Sequence, residues 1–274
     1  MKRTAQSPVF GIVLTALVLA VLLVILTLAG CDEAGAGDDA VPLDLDGTYV
    51  GSFEFTDTGD SSKDRANTWE MDVSGTEIAL TGHFGDGNHE MTGTIDPNTG
   101  ALSISWTLTD PAYTFLSSGT IDADGTVAGT GTLDEGSDGT IDSNVTMSGV
   151  KNTSGYILQG RMTFPPDDES QAGRPYTVVV DTDGNGDNGG QIAFFSGIAG
   201  KASDMSYIVS GIPAGTWNVY GILYMSADRY SEAPQRAPTA GTDYSGGSVG
   251  PVSGAYSVTT DRYDLDFNLT IHDE

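Results

Sequence analysis

The chain has 274 residues, with 38 Asp and Glu against 11 Lys and Arg, and a formal net charge of −27 at pH 7. This length is sufficient for two domains that each bury a hydrophobic core. A protein with this much negative charge repels nucleic acid and attracts cations. We therefore expect no nucleic-acid partner, and we favour divalent metal ions as a class of ligand. The alternative is that the charge only keeps an exported protein soluble.

Residues 1–30 have the pattern of a secretory signal. Lys2 and Arg3 precede an uncharged apolar run, residues 9–29, which ends in small residues. A positive start, an apolar stretch and a small-residue cleavage site are the parts of such a signal. Because the run is long enough to cross a hydrocarbon core of about 30 Å, an uncleaved signal anchor is the alternative. Both interpretations place the following chain outside the cytoplasm.

The single cysteine, Cys31, ends the sequence Leu28-Ala29-Gly30-Cys31. One cysteine excludes an intramolecular disulfide. The four residues resemble the lipobox of bacterial lipoproteins, in which a diacylglycerol is attached to the cysteine and the peptide is cut just before it. The resemblance implies a bacterial cell-envelope protein anchored to a membrane through lipid on Cys31, in a leaflet that the sequence leaves open.

The chain after the signal divides into a linker and a folded part. Residues 31–45 carry the lipid anchor and a small, acidic stretch that we interpret as a flexible linker. From residue 46 short runs alternate apolar and polar residues, and none sustains a helical period. The folded part is therefore predicted to be all-β.

The first domain, residues 46–152, is predicted to be an eight-stranded antiparallel meander closed into a barrel. One face of each run is apolar and the other is polar, and the turns carry Asp, Asn, Pro and Gly, so neighbouring runs should pair. Glycines on the inward faces permit the coiling that closure needs. The runs are residues 48–55, 68–73, 77–84, 89–95, 101–108, 114–121, 126–133 and 142–150.

This pattern resembles a lipocalin-type barrel in architecture, without a diagnostic motif. A barrel of this size is either filled by its own side chains or holds one small ligand. Trp69, Trp106 and several phenylalanines are available as filling. We therefore favour a filled core, and a carrier of a small apolar molecule is the alternative.

The second domain, residues 153–274, is predicted to be a β-sandwich of seven strands. Within residues 207–217, the turn Pro213-Ala214-Gly215-Thr216-Trp217 joins two of the runs. This segment resembles transthyretin-like domains of the carboxypeptidase regulatory type, which implies an accessory, non-catalytic sandwich. The runs are residues 156–164, 176–181, 191–195, 205–212, 216–225, 254–260 and 264–271.

An acidic segment between two runs of the second domain predicts a calcium site. Asp181, Asp183 and Asn185 alternate before a glycine, and Asp187 follows. Oxygen ligands in this pattern can surround Ca²⁺, as in the first half of an EF-hand loop. Ile192 replaces the bidentate glutamate of such a loop, so a true EF-hand is excluded. The alternative is a solvated turn.

Other residues would have to complete a calcium site. The candidates are Asp204, Asp228 and Asp243. A separate hairpin with His83 and His89 offers ligands that zinc uses, although the spacing fits no familiar site.

The long segment 226–253 contains candidate contact residues for a protein or carbohydrate partner, because arginine and tyrosine are frequent at binding surfaces. These residues are Arg229, Tyr230, Arg236 and Tyr244.

These features together predict a lipid-anchored extracytoplasmic binding or scaffolding protein with a calcium-stabilised sandwich. No nucleophile motif or phosphate-binding loop occurs, so we expect no enzymatic activity. The alternative from another class is a secreted hydrolase that uses the His83 and His89 hairpin or a pair of carboxylates.

Overall fold

The computed structural model describes residues 42–60, 63–84, 87–109, 112–165, 170–182, 190–200, 205–225, 239–247, 255–263 and 265–271. This part of the chain forms seventeen β-strands and no α-helix, which confirms the predicted all-β class. Within it, no helix is long and apolar enough to span a bilayer. Residues 41–274 belong to one compact unit. The predicted signal and Cys31 lie outside the described residues.

The first eight strands form the predicted barrel. They are β1 (Gly47–Asp57), β2 (Arg65–Ser74), β3 (Glu77–Phe84), β4 (Gly87–Ile95), β5 (Ala101–Thr109), β6 (Ala112–Ile121), β7 (Thr126–Glu135) and β8 (Ser143–Lys151). Each strand pairs with its neighbour in sequence, and β8 pairs with β1 to close the barrel. The predicted antiparallel meander is therefore confirmed.

Aromatic side chains fill the barrel interior. Phe53 lies 5.0 Å from Phe115 and 6.1 Å from Trp69, measured between ring centroids. The indole of Trp69 lies against Gly51 and Gly149, and a Cβ atom at either glycine would collide with it. The two glycines are cross-strand partners, so no side chain projects from this part of the barrel wall, and the Trp69 indole packs there against the backbone.

The remaining strands form two sheets. They are β9 (Tyr156–Thr163), β10 (Pro175–Asp181), β11 (Gln191–Ile198), β12 (Ser206–Ile212), β13 (Gly215–Leu223), β14 (Tyr244–Gly247), β15 (Ala255–Val258), β16 (Phe267–Asn268) and β17 (Thr270–Ile271). The larger sheet has the order β11-β10-β13-β14-β17, with β15 also on β13, and the smaller has the order β12-β9-β16. Residues of both sheets share one buried core, consistent with the predicted sandwich.

Two details of this domain differ from the seven predicted strands. β14 lies within the segment predicted to be irregular, because its four residues are too short for an alternating pattern. The predicted strand 264–271 divides into β16 and β17, which belong to different sheets. Between them Leu269 is buried, and its amide donates a hydrogen bond to the carbonyl of Thr163.

The sandwich packs against the outer wall of β1, β2 and β3. Val50 points outward from β1 and belongs to the sandwich core, and Ala66 and Thr68 are buried on β2. The Thr68 amide donates a hydrogen bond to the Ser206 hydroxyl over 3.2 Å. The guanidinium of Arg161 donates to the carbonyl of Phe84. The two domains therefore share a buried contact surface.

Candidate functional site at the open end of the barrel

One end of the barrel is closed by the segment that precedes β1. Leu45 is buried and accepts a hydrogen bond at its carbonyl from the Tyr49 hydroxyl over 2.7 Å. The Leu43 amide donates to the carbonyl of Pro97 over 2.9 Å, and the Lys151 ammonium donates to the carbonyl of Asp44 over 3.1 Å. Residues 42–46 therefore connect to the β4–β5 turn and to the end of β8. We refer to this end as the closed end.

The opposite end, where β1 finishes, carries a group of partly buried rings on neighbouring strands. His89 lies 5.4 Å from Phe84 and 4.8 Å from Trp106, and Trp106 lies 6.3 Å from Tyr113, measured between ring centroids. Phe84, Trp106 and Tyr113 pack on the barrel core from this end. The rings come from β3, β4, β5 and β6 in order. We call Phe84, His89, Trp106 and Tyr113 the aromatic arc.

Polar residues occupy the inward positions at the same end on the other four strands. In a strand alternate residues face the same side, so these positions follow from the buried interior residues of each strand. β7, β8, β1 and β2 are neighbours around the closed barrel. We call this set the polar arc: Glu135, Ser143, Asp57, Arg65 and Asn67.

Arg65 of the polar arc and Lys63, which precedes β2, each lie beside an acid. The Arg65 guanidinium is 3.1 Å from a carboxylate oxygen of Glu135 and lies over the ring of Phe55, 4.8 Å from its centroid. The Lys63 ammonium is 3.7 Å from a carboxylate oxygen of Asp57. Each of these two ion pairs is therefore neutral as a whole.

Buried polar atoms lie beneath this surface. Asn67 is fully buried, and its amide nitrogen donates a hydrogen bond to the carbonyl of His83 over 3.4 Å. The Ser143 hydroxyl is almost fully buried and has no hydrogen-bond partner among the described residues. A buried hydroxyl in this position requires a water or another polar group as a partner. The open end is thus amphipathic, with a ring-lined half and a hydrogen-bonding half.

The histidine hairpin does not bring its two imidazoles together. His83 pairs with Asn88 and His89 pairs with Gly82 across β3 and β4. His83 points to the outer wall, where it is buried, whereas His89 faces the rings of the aromatic arc. The two imidazoles lie on opposite faces of the hairpin, so they cannot share a metal ion. In the described parts of the chain, no group of three His, Cys, Asp or Glu side chains is arranged to hold a metal.

The predicted calcium loop joins two paired strands. Asp181 ends β10 at a β-bulge and is fully buried. Beyond it, the Thr182 amide donates a hydrogen bond to the carbonyl of Gly190 over 3.2 Å, so the intervening residues connect β10 to β11. Asp183, Asn185 and Asp187 lie outside the described residues.

Asp243 lies far from this loop, so the prediction that it completes the calcium site is wrong. Its carboxylate accepts hydrogen bonds from the amides of Met225, over 3.1 Å, and Thr239, over 2.8 Å. It precedes Tyr244, which pairs with Leu223 of β13, whereas Asp181 pairs with Asn218 on the same strand. Leu223 and Asn218 lie opposite the two ends of β10, Tyr176 and Asp181. Asp243 therefore stabilises a turn at the opposite end of the sheet. Asp204 and Asp228 lie outside the described residues.

The candidate contact residues of segment 226–253 are only partly described. Tyr244 belongs to β14 and packs with its ring 4.6 Å from that of Phe164, at the edge of the sandwich core. Its ring thus contributes to packing within the domain. Arg229, Tyr230 and Arg236 lie outside the described residues.

Sequence reasoning missed the open end of the barrel as a site. The sequence predicts Trp106 only as core filling, and its sixth predicted strand begins at residue 114, whereas β6 also contains Tyr113. The available signal was positional, because the rings occupy inward positions near the same end of four successive strands. It becomes visible only when the strand ends and register are known.

Comparisons with known proteins give no family for this chain. No protein-family model matches it, and no curated protein matches its sequence.

Proposed function

We propose that this chain is a lipid-anchored binding protein of the bacterial cell envelope, displayed outside the cytoplasm, whose barrel binds a ligand at its open end. The observation that carries the proposal is the difference between the two ends of the barrel. Residues 42–46, the first four of which belong to the predicted linker 31–45, cover the closed end. The other end carries partly buried rings beside hydrogen-bonding groups, which is the usual composition of a binding site.

A ligand at the open end is favoured over one carried inside the barrel. The interior side chains are buried against each other, with Phe53, Phe55, Trp69 and Phe115 among the largest. A molecule inside would have to displace these rings. The loss of packing of one large buried side chain costs about 3–5 kcal/mol in the free energy of unfolding. A hydrolase that uses the His83 and His89 hairpin is not favoured, because the two histidines face opposite sides of the sheet.

A calcium-stabilised sandwich is the second part of the proposal. Asp181 is fully buried, and its carboxylate accepts a hydrogen bond from the Thr182 hydroxyl over 3.2 Å. The residues that follow would bring more carboxylates to the same end of the sheet. A bound cation would reduce their mutual repulsion.

Lipid attachment and display can be tested in one bacterial host. We expect an alkyne-labelled fatty acid to label the wild-type chain and to leave Cys31→Ala unlabelled, because no other cysteine is present. Fatty acid on Cys31→Ala would refute the anchor.

The same property allows a test of display. Thr109 is exposed at the end of β5, so in Thr109→Cys the introduced residue is the only free thiol once Cys31 is lipidated. A membrane-impermeant maleimide should label this variant on spheroplasts, with the wild type as the unlabelled control. Labelling that requires permeabilised membranes would refute extracytoplasmic display.

A further inference from the structure

Three rings of the aromatic arc, those of Phe84, Trp106 and Tyr113, form a row of nearly parallel rings, and the His89 ring is tilted by 58° against that of Trp106. The planes of Phe84 and Trp106 differ by 7°, and those of Trp106 and Tyr113 by 11°. Aromatic faces carry partial negative charge and attract the weakly positive edges of C–H bonds. Because each of these three rings is only partly buried, the row leaves ring surface for flat ligand units with C–H groups on one face.

The polar arc faces this row across the same barrel end. Arg65 is a hydrogen-bond donor and Glu135 is an acceptor, and charged partners form the stronger hydrogen bonds. A ligand that used both arcs would have an apolar face and, at its edges, groups that both donate and accept hydrogen bonds.

Charge restricts the ligand further. Arg65 and Lys63 are both neutralised by adjacent carboxylates. The chain as a whole carries −27, so an anionic ligand would be repelled during its approach. A purely apolar ligand would remove the polar arc from water without replacing its hydrogen bonds. These conditions favour an uncharged ligand that is rich in hydroxyl groups.

We infer that the open end of the barrel binds a neutral carbohydrate chain, with the C–H faces of its sugar rings on the aromatic arc and its hydroxyls on the polar arc. This inference rests on the proposed function, because it names the ligand class of the same end. Trp106 lies in the middle of the row and contributes the largest stacking surface. Glu135 and Arg65 orient the sugar hydroxyls.

The test uses the full chain in lipid nanodiscs and isothermal titration calorimetry. The probes are neutral hexasaccharides of glucose, xylose and N-acetylglucosamine, together with indole as an uncharged aromatic probe without hydroxyls. Trp106→Ala removes the central ring, and Tyr263→Ala is the matched control because Tyr263 is an exposed aromatic residue outside the barrel. Glu135→Gln tests the polar arc without altering the rings. Melting temperatures establish that each variant is folded.

We expect at least one hexasaccharide to bind wild type and Tyr263→Ala equally and to bind Trp106→Ala and Glu135→Gln at least about tenfold more weakly, a loss of about 1.4 kcal/mol. Indole binding that depends on Trp106 without any hexasaccharide binding would overturn the carbohydrate inference and leave the open end as a binding site. If neither probe binds in a Trp106-dependent manner, both the inference and the proposed binding site are wrong. Comparison with Trp106→Ala removes the contribution of indole dissolved in lipid.

Discussion

Val50 and Val150 are direct cross-strand partners on the outer wall of the barrel, but Val50 is 4% exposed and Val150 is 49% exposed. The difference arises because the sandwich covers β1 and leaves β8 in contact with solvent. One pair of identical side chains therefore marks the edge of the surface that the two domains share.

Val50→Ala should destabilise the barrel and the sandwich together. The substitution removes buried methyl groups from the sandwich core, at an expected cost of about 1–3 kcal/mol in the free energy of unfolding. Urea unfolding of the full chain in detergent, followed by tryptophan fluorescence and by circular dichroism, should show one transition shifted to lower urea. Val150→Ala is the matched control and should change stability by less than about 0.5 kcal/mol. Two separate transitions, of which only one moves, would show that the domains fold independently.

Gly149→Ala should destabilise the barrel because a Cβ atom there would collide with Trp69 and with the carbonyl of Val50. We expect a loss of about 1–3 kcal/mol, typical of overpacking. Gly59→Ala is the control, since its Cβ would meet only the Asp57 carboxylate at 3.7 Å. Combining Gly149→Ala with Trp69→Phe should cost less than the sum of the two single changes, as expected for residues in contact. Strict additivity in thermal unfolding would contradict the packing described here.

The buried His83 should make stability depend on pH near neutrality. Burial lowers the pKa of His83 below its ordinary value of 6.5, and the nearby positive charge of Arg161 lowers it further, against the opposing hydrogen bond to Asn88. The folded state thus favours the neutral imidazole. The stability that the neutral His83 contributes is fully present above pH 6.5. It is lost as the pH falls below 6.5, because the unfolded chain takes up the proton first.

The measurement compares wild type with His83→Gln by chemical unfolding between about pH 7.5 and 5.5, the window set by the ordinary histidine value. Wild type should lose more stability than the variant as the pH falls. Burial raises the pKa of Glu70, which acts in the opposite direction, but this carboxylate is present in both proteins and its effect cancels in the difference. His89→Gln is the control. Because it retains His83, its free energy of unfolding should depend on pH as that of the wild type does. Equal slopes in wild type and His83→Gln would refute the prediction.

Calcium should raise the stability of the sandwich through the loop that begins at Asp181. At a concentration of 100 times its dissociation constant, a ligand adds about 2.7 kcal/mol to stability. Thermal unfolding of wild type with calcium, compared with EDTA, should show this gain, and the double variant Asp181→Asn with Asp183→Asn should lack it. The matched control is Asp122→Asn with Asp124→Asn, which changes the same residue types with the same spacing in a barrel turn. Identical wild-type curves with calcium and EDTA would make the loop a plain turn.

The alternating pattern was sufficient to predict the barrel because most of the barrel strands have one wet face and one buried face. It was less informative where both faces are covered. β10 is buried at every position, and Val50, Ala66 and Thr68 are buried on the outer wall of β1 and β2 by the sandwich. The alternation cannot show which outward residues another domain will cover. It also cannot place the aromatic arc, because its four rings come together only through the ends and the register of β3, β4, β5 and β6.

The attachment of residues 42–46 to the closed end determines how mechanical load would enter the protein. If the linker holds the chain at a membrane and a ligand is held at the open end, tension runs along the barrel from β1 to the far rim. β1 pairs along its length with both β2 and β8. Inter-strand hydrogen bonds lie perpendicular to the strands, so a pull along β1 would shear many of them at once instead of opening them one after another. This arrangement of a tether and a ligand at opposite ends would make the barrel a mechanically resistant spacer.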